Sequence, residues 1–211
     1  MHTKTKLLIA FATTLALLFG AQLGVADDDR RQSSGLSAQD QIEDLPVCYA
    51  LGTDALGRAV NAVVTNSLDS TDNVHEPVFA EGLAFYRKCF ARKFTFILKS
   101  GGNVLLTVPD PLTRTSQTDA ALQWANFVNN TFRNSGYANT QHHMGSILSS
   151  SRGNRGTGQA YLIATHAYAD AALGVQVVGG TYNDDVVRRR GRWLIKTRTL
   201  NITSNVNTPG G

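Results

Sequence analysis

The chain holds only 2 cysteines in 211 residues. They are not spaced Cys-x-x-Cys, which excludes a dithiol redox motif. Nor are two enough for a disulfide framework in a domain of this size. Cys48 and Cys89 either bridge in an oxidising compartment or serve as small buried apolar residues, and the residues alone leave both readings open. No Gly-x-Ser-x-Gly elbow occurs, so nucleophilic catalysis has no candidate serine. The glycine-rich stretch SRGNRGTGQ (151–159) neither follows a strand nor opens a helix, which removes a phosphate loop. His142, His143 and His166 lack a carboxylate at ligand-like spacing, so no metal is expected. There are no internal repeats.

Charge of one sign is also scarce. The formal net charge is +4, and removing an N-terminal segment that carries Lys4, Lys6 and no acid leaves +2. A balance that small argues neither for nucleic acid nor for an anionic membrane surface. Beyond residue 26 no apolar run approaches the ~18 residues of a spanning helix, so no membrane association is expected after processing.

What is present begins with an export signal. Lys4 and Lys6 precede an apolar run, Leu7 to Leu18, broken only by Thr13 and Thr14, and Gly24-Val25-Ala26 supplies small residues at a cleavage site. The alternative is an uncleaved anchor, but acidic Asp27-Asp28-Asp29 follows at once. Residues 1–26 are therefore read as a signal peptide and the protein as exported, to a periplasm or to the exterior. Residues 27–38 read as a flexible lead and 204–211 as a disordered tail, leaving one domain between them.

Within that domain, Ile42, Leu45, Cys48 and Tyr49 recur at helical spacing and predict a helix over 40–53, with Pro46 early in it and Asp54 at its end. A second helical stretch follows over 55–64. Residues 66–77 (NSLDSTDNVHEP) read as a polar surface insertion, and 79–91 as helix. Strands are expected over 93–98 and 104–108, then a helix over 115–132. Strands over 139–149 and 159–169 flank a long flexible loop (149–158), and strands over 175–188 and 192–203 close the domain. Helices first and long antiparallel strands later define an α+β domain with room for a cavity between the layers.

Four segments, in this order and spacing, carry a resemblance: CYALGTDALGR (48–58), AEGLAFYRKCFARKFTF (80–96), QHHMGS (141–146) and GGTYNDDVVRRRGRWLIKTR (179–198). Together they are similar to the SnoaL-like branch of the nuclear transport factor 2-like superfamily, over 39–203. The resemblance implies a cone-shaped, curved antiparallel sheet with helices on its concave face and a deep pocket. It implies an uncertain enzyme status: some relatives are cofactor-independent dehydratase-type lyases or isomerases using a His–Asp pair, and others have no known activity. Carried over by position, Asp54 and His142 are the catalytic pair, and Tyr49, Arg198 and His166 contact substrate. Ser146 replaces an asparagine common in relatives.

Several alternatives remain at this stage. Alternation puts His142 and His143 on opposite faces, so only one enters the pocket. His166 also reads as a hydrogen-bonded sheet histidine. If the last hairpin has a three-residue loop, Asp184 lies opposite Arg198 and makes it structural. Arg188, Arg189, Arg190 and Arg192 flank the hairpin tip and read as a solvated turn. The expected partner is a small-molecule ligand bound without a cofactor, with no nucleic acid; a homodimer is the family's common assembly. The competing function is a non-catalytic hydrophobic-ligand binder or dimerising module.

Overall fold

Ser37 opens the domain with a reciprocal cap. Its hydroxyl accepts the Asp40 N–H at 3.1 Å, and the Asp40 carboxylate accepts the Ser37 N–H at 3.0 Å. Helix α1 then runs Ala38–Arg58, burying Ile42, Leu45, Tyr49 and Leu56 along one stripe. The expected break near residue 54 is absent: one helix is continuous to Arg58 and ends in a 3-10 turn, Ala59–Asn61. Pro46 lies in its interior rather than at its start, and is buried. It costs one backbone hydrogen bond, which burial of the surrounding apolar stripe offsets.

The computed structural model describes residues 36–62, 64–109 and 119–210. The signal-peptide reading of 1–26, residues 27–35 of the lead and the 115–118 start of the helix expected over 115–132 lie outside the described residues. Among the described residues no helix is long and apolar enough to cross a membrane.

The 66–77 insertion is pinned by Asn73, which is buried. Asn73 accepts the Thr65 N–H and donates to Asn126 Oδ1, both at 2.6 Å. Helix α2, Pro77–Cys89, starts with proline at its first turn, where the missing N–H costs least. It leads directly into strand β1, Phe90–Ser100, and β2, Asn103–Val108. Helix α3, Ala120–Asn134, is capped by Asp119. Four long strands follow: β3 Tyr137–Arg152, β4 Arg155–Tyr168, β5 Val175–Arg189 and β6 Arg192–Thr208. The fold is α+β: among the described residues, three α-helices and a curved, unclosed six-stranded sheet of order β2-β1-β6-β5-β4-β3.

Three expectations are corrected. The sheet is mixed, because β1 runs parallel to β6 while every other pair is antiparallel. The loop expected over 149–158 is a tight turn at Gly153 and Asn154, with Arg152 paired to Arg155. Glycine there signals close approach rather than flexibility: a Cβ on Gly156 would lie 2.4 Å from the Ser150 carbonyl oxygen and 3.2 Å from Ile42 of α1. The tail expected to be disordered is strand to Thr208, paired back to Val175. The cysteine alternative resolves to a Cys48–Cys89 disulfide, joining α1 to the end of α2.

Candidate active site

Tyr49 and Thr53 stand four residues apart on α1, so both face the sheet, and Asp54 follows toward the helix's C-terminal end. A carboxylate there opposes the helix dipole, and β3 supplies the compensation. The Asp54 carboxylate accepts the His142 backbone N–H (3.0 Å) and the Thr140 hydroxyl (3.2 Å), and its Oδ1 lies 2.6 Å from His142 Nδ1. Thr140, His142 and Met144 share the helix-facing side of β3, whereas Gln141 and His143 are exposed. Alternation thus decides between the two histidines in favour of His142, whose side chain is 6% exposed.

The close contact of helix and strand depends on Gly57. A Cβ at that position would sit 2.1 Å from the Thr140 hydroxyl oxygen. Without a side chain, α1 lies directly on β3 and Asp54 reaches the strand backbone.

His142 lines a cavity of about 210 Å³ between the helices and the sheet. The walls are mainly aromatic and aliphatic: Phe96, Trp124, Phe127, Phe132 and Leu162 among them. Polar atoms come from few places. Tyr49, Thr53, His142 and His166 line the cavity, with Gln176 and Asn205 from β5 and β6. The Tyr137 hydroxyl donates to Gln176 Oε1.

His166 sits on β4 opposite Thr140, its ring edge-on to His142 at 5.6 Å between centroids and stacked on Tyr137 at 4.8 Å. Its Nδ1 is buried without a partner among the described residues. Burial first, and the neighbouring His142 second, lower its pKa to about 4, against a partial opposing pull from Asp54. At neutral pH it is an uncharged imidazole. Burial also raises the Tyr49, Tyr86 and Tyr182 phenols, so all three stay protonated.

Arg198 takes the second of its two expected readings, the partner of Asp184, and not that of a substrate contact. It is fully buried and makes a two-pronged ion pair with Asp184, Nε to Oδ1 at 2.8 Å and Nη2 to Oδ2 at 2.6 Å. Its guanidinium carbon lies 4.4 Å from the ring centres of both Tyr49 and Tyr182. Those two rings line the cavity; Arg198 does not. It braces them from behind. The register behind this pairing comes from a two-residue turn at Arg190 and Gly191 plus a bulge in which Lys196 is the extra residue opposite the Asp185–Val186 step, which together equal a three-residue offset. Burial opposes the Arg198 charge, but Asp184 outweighs it and the pKa is raised.

The structure therefore brings His142, His166 and Tyr49 to one cavity, with Asp54 behind His142 and Arg198 behind Tyr49. Sequence reasoning missed Thr140, the second grip on Asp54; its signal was the two-residue spacing from His142, which puts both on one strand face. It also missed Gln176 and Asn205, distant in sequence and joined only by the sheet.

Comparison with solved structures places this architecture among known relatives. The Kfla4162 protein of Kribbella flavida superposes with a TM-score of 0.54 at 16% identity, over 79% of this chain and 91% of that one. The hexachlorocyclohexane dehydrochlorinase LinA-type3 of Novosphingobium barchaimii gives 0.54 at 12% identity, covering 88% and 97%. A candidate scytalone dehydratase of Novosphingobium aromaticivorans gives 0.51 at 15% identity, covering 80% and 86%. At these identities the likeness shows the fold alone. No curated protein matches the sequence at a significant level. Residues 83–199, more than half of the chain, match the sequence model of the SnoaL-like domain, and the chain belongs to that family within the nuclear transport factor 2-like superfamily.

Proposed function

We propose that this protein is a cofactor-independent lyase or isomerase acting on a small, uncharged, largely apolar molecule, with His142 as general base and Asp54 as its orienter. One observation carries the reading: His142 Nδ1 lies 2.6 Å from a carboxylate that is itself held by the His142 backbone and Thr140, on the wall of an apolar cavity. The carboxylate accepts the Nδ1–H and so keeps the lone pair on Nε2. Nε2 takes a proton from carbon, and the C–H electron pair becomes the new double bond. In an elimination the leaving group departs with its own bonding pair; in an isomerisation the proton returns at another carbon. Asp54 stabilises the imidazolium between these steps. Neutral His166, across from His142, donates or accepts a hydrogen bond at the leaving atom. That a dehydrochlorinase shares the fold supports the reaction class.

The protein acts after export. The Cys48–Cys89 bridge supports this, since such links persist in oxidising compartments.

The test is long-range proton–nitrogen NMR of the imidazoles, paired with a panel of small halogenated and hydroxylated substrates. Wild type is expected to hold His142 as the Nδ1–H tautomer, with Asp54→Asn losing it and elimination falling about 10²- to 10⁴-fold. A His142 ring protonated on Nε2 and indifferent to Asp54 would overturn the proposal and leave a binding pocket.

A further inference from the structure

The geometry points to a second site, unrelated to the cavity: a cationic groove at the turn end of the sheet that binds an acidic polysaccharide. The β3–β4 and β5–β6 turns lie side by side, joined where the Arg188 N–H donates to the Asn154 carbonyl at 2.9 Å. Between them and the start of β6 lies an open groove of about 780 Å³. Arg152, Arg155, Arg189 and Lys196 line it, all exposed, and Asp185 is the one carboxylate among the lining residues. None of the four cations has a carboxylate within ion-pair reach among the described residues. Lys196 instead donates to the Lys93 carbonyl at 2.7 Å, a contact that fixes its position and leaves its charge unneutralised.

The rim extends the same field. Arg188, Arg190 and Arg192 lie at the adjoining turn, and Lys88, Arg92 and Lys93 lie alongside, where the Lys88 and Lys93 carbonyls accept from Arg192 and Lys196; all six are exposed. Half of the chain's 20 lysines and arginines thus gather at one end of a molecule whose overall charge is small. The overall balance hides this, because strands far apart in sequence bring the cations together only in the fold. Such a concentration attracts polyanions over a Debye length and raises their local concentration.

The lining separates the candidate polyanions. It carries no aromatic ring on which a nucleic-acid base could stack. The turn tips, Gly153–Asn154 and Arg190–Gly191, offer no apolar anchor for a bilayer. What lies beside the guanidinium forks is a row of hydroxyls from Ser150, Ser151 and Thr157. Forks for carboxylate or sulfate next to hydroxyl partners for sugar hydroxyls match a polymer that alternates the two.

The experiment measures binding of the purified protein to polygalacturonate oligomers of defined length by calorimetry across a salt series. Neutral dextran, a single-stranded oligodeoxynucleotide and phosphatidylglycerol vesicles are run in parallel. Polygalacturonate is expected to bind at low salt, weaken as salt rises, and exceed the other three. The double variant Arg155→Glu/Arg189→Glu is expected to weaken it by at least about tenfold. Lys99→Glu, at the far end of β1, is expected to leave it unchanged. Arg152→Gln/Arg155→Gln, which adds no acid, serves as a second variant and is expected to weaken binding less steeply; a thermal melt checks that each variant is folded. Absence of polygalacturonate binding, indifference to both double variants, or tighter binding of the oligonucleotide or vesicles would each overturn the assignment. Because the groove is separate from the cavity, elimination activity is expected to be the same in both double variants as in wild type.

Discussion

Two carboxylates in this molecule hold two basic side chains at the same 2.6 Å, and only one pair stands where the proposed chemistry could use it. Asp184 grips Arg198 inside the core, with side-chain exposures of 3% and 0%. Asp54 grips His142 at a cavity wall, with exposures of 19% and 6%. Arginine cannot give up its proton under any ordinary condition, so the buried pair is fixed. An imidazole has two ring nitrogens, one able to give a proton and one able to take it, and this one lines a cavity. Distance alone does not separate a brace from a reactive dyad; the titrating group and what it faces do.

The contrast is sharpest at Asp184. Asp184→Ala strands a buried guanidinium, and urea unfolding is expected to show a loss of about 3–5 kcal/mol. The double variant Asp184→Leu/Arg198→Met is expected to recover most of that, since it removes both charges together. A single-variant loss under about 1 kcal/mol would mean that Arg198 is not held as a structural ion.

His166 gives a smaller, pH-dependent effect. Its folded pKa of about 4 lies below its ordinary 6.5, so on acidification the unfolded chain takes the proton first. Stability is therefore full above pH 6.5 and declines toward about pH 4, by up to about 3 kcal/mol. His166→Gln is expected to remove that portion of the acid slope; identical slopes in the two proteins would show that His166 is not buried as a neutral ring. The smallest effect is expected at the dyad itself. Asp54→Asn keeps the shape and loses charge-assisted bonds, costing about 1–2 kcal/mol of stability while activity collapses. A stability loss as large as that of Asp184→Ala would place Asp54 among the braces.

Much of this was legible before any coordinates. Apolar spacing located α1 with Tyr49 and Asp54 on it, and alternation in QHHM limited the inward histidine to one of two. Two things were not legible, for physical reasons. Gly156 in SRGNRGTGQ read as loop because glycine marks both flexibility and close approach, and only the positions of the Ser150 carbonyl and Ile42 show which applies. Arg198 stayed between two readings, substrate contact and partner of Asp184, because the choice depends on a bulge between Asp185 and Val186 that shifts the register by one residue. The basic groove escaped for a related reason: net charge sums over the whole surface, whereas a polyanion meets one end of it.

Gly57 bears no functional group, yet it sets the mechanical tolerance of the dyad. Adding a single methyl there would force helix and strand apart before any atom of Asp54 or His142 changed. The reactive geometry is in that sense a clearance, governed by how closely two elements can be pressed together. Substitutions that thicken the seam between α1 and β3 would detune the proposed site from a distance while leaving Asp54 and His142 in the sequence.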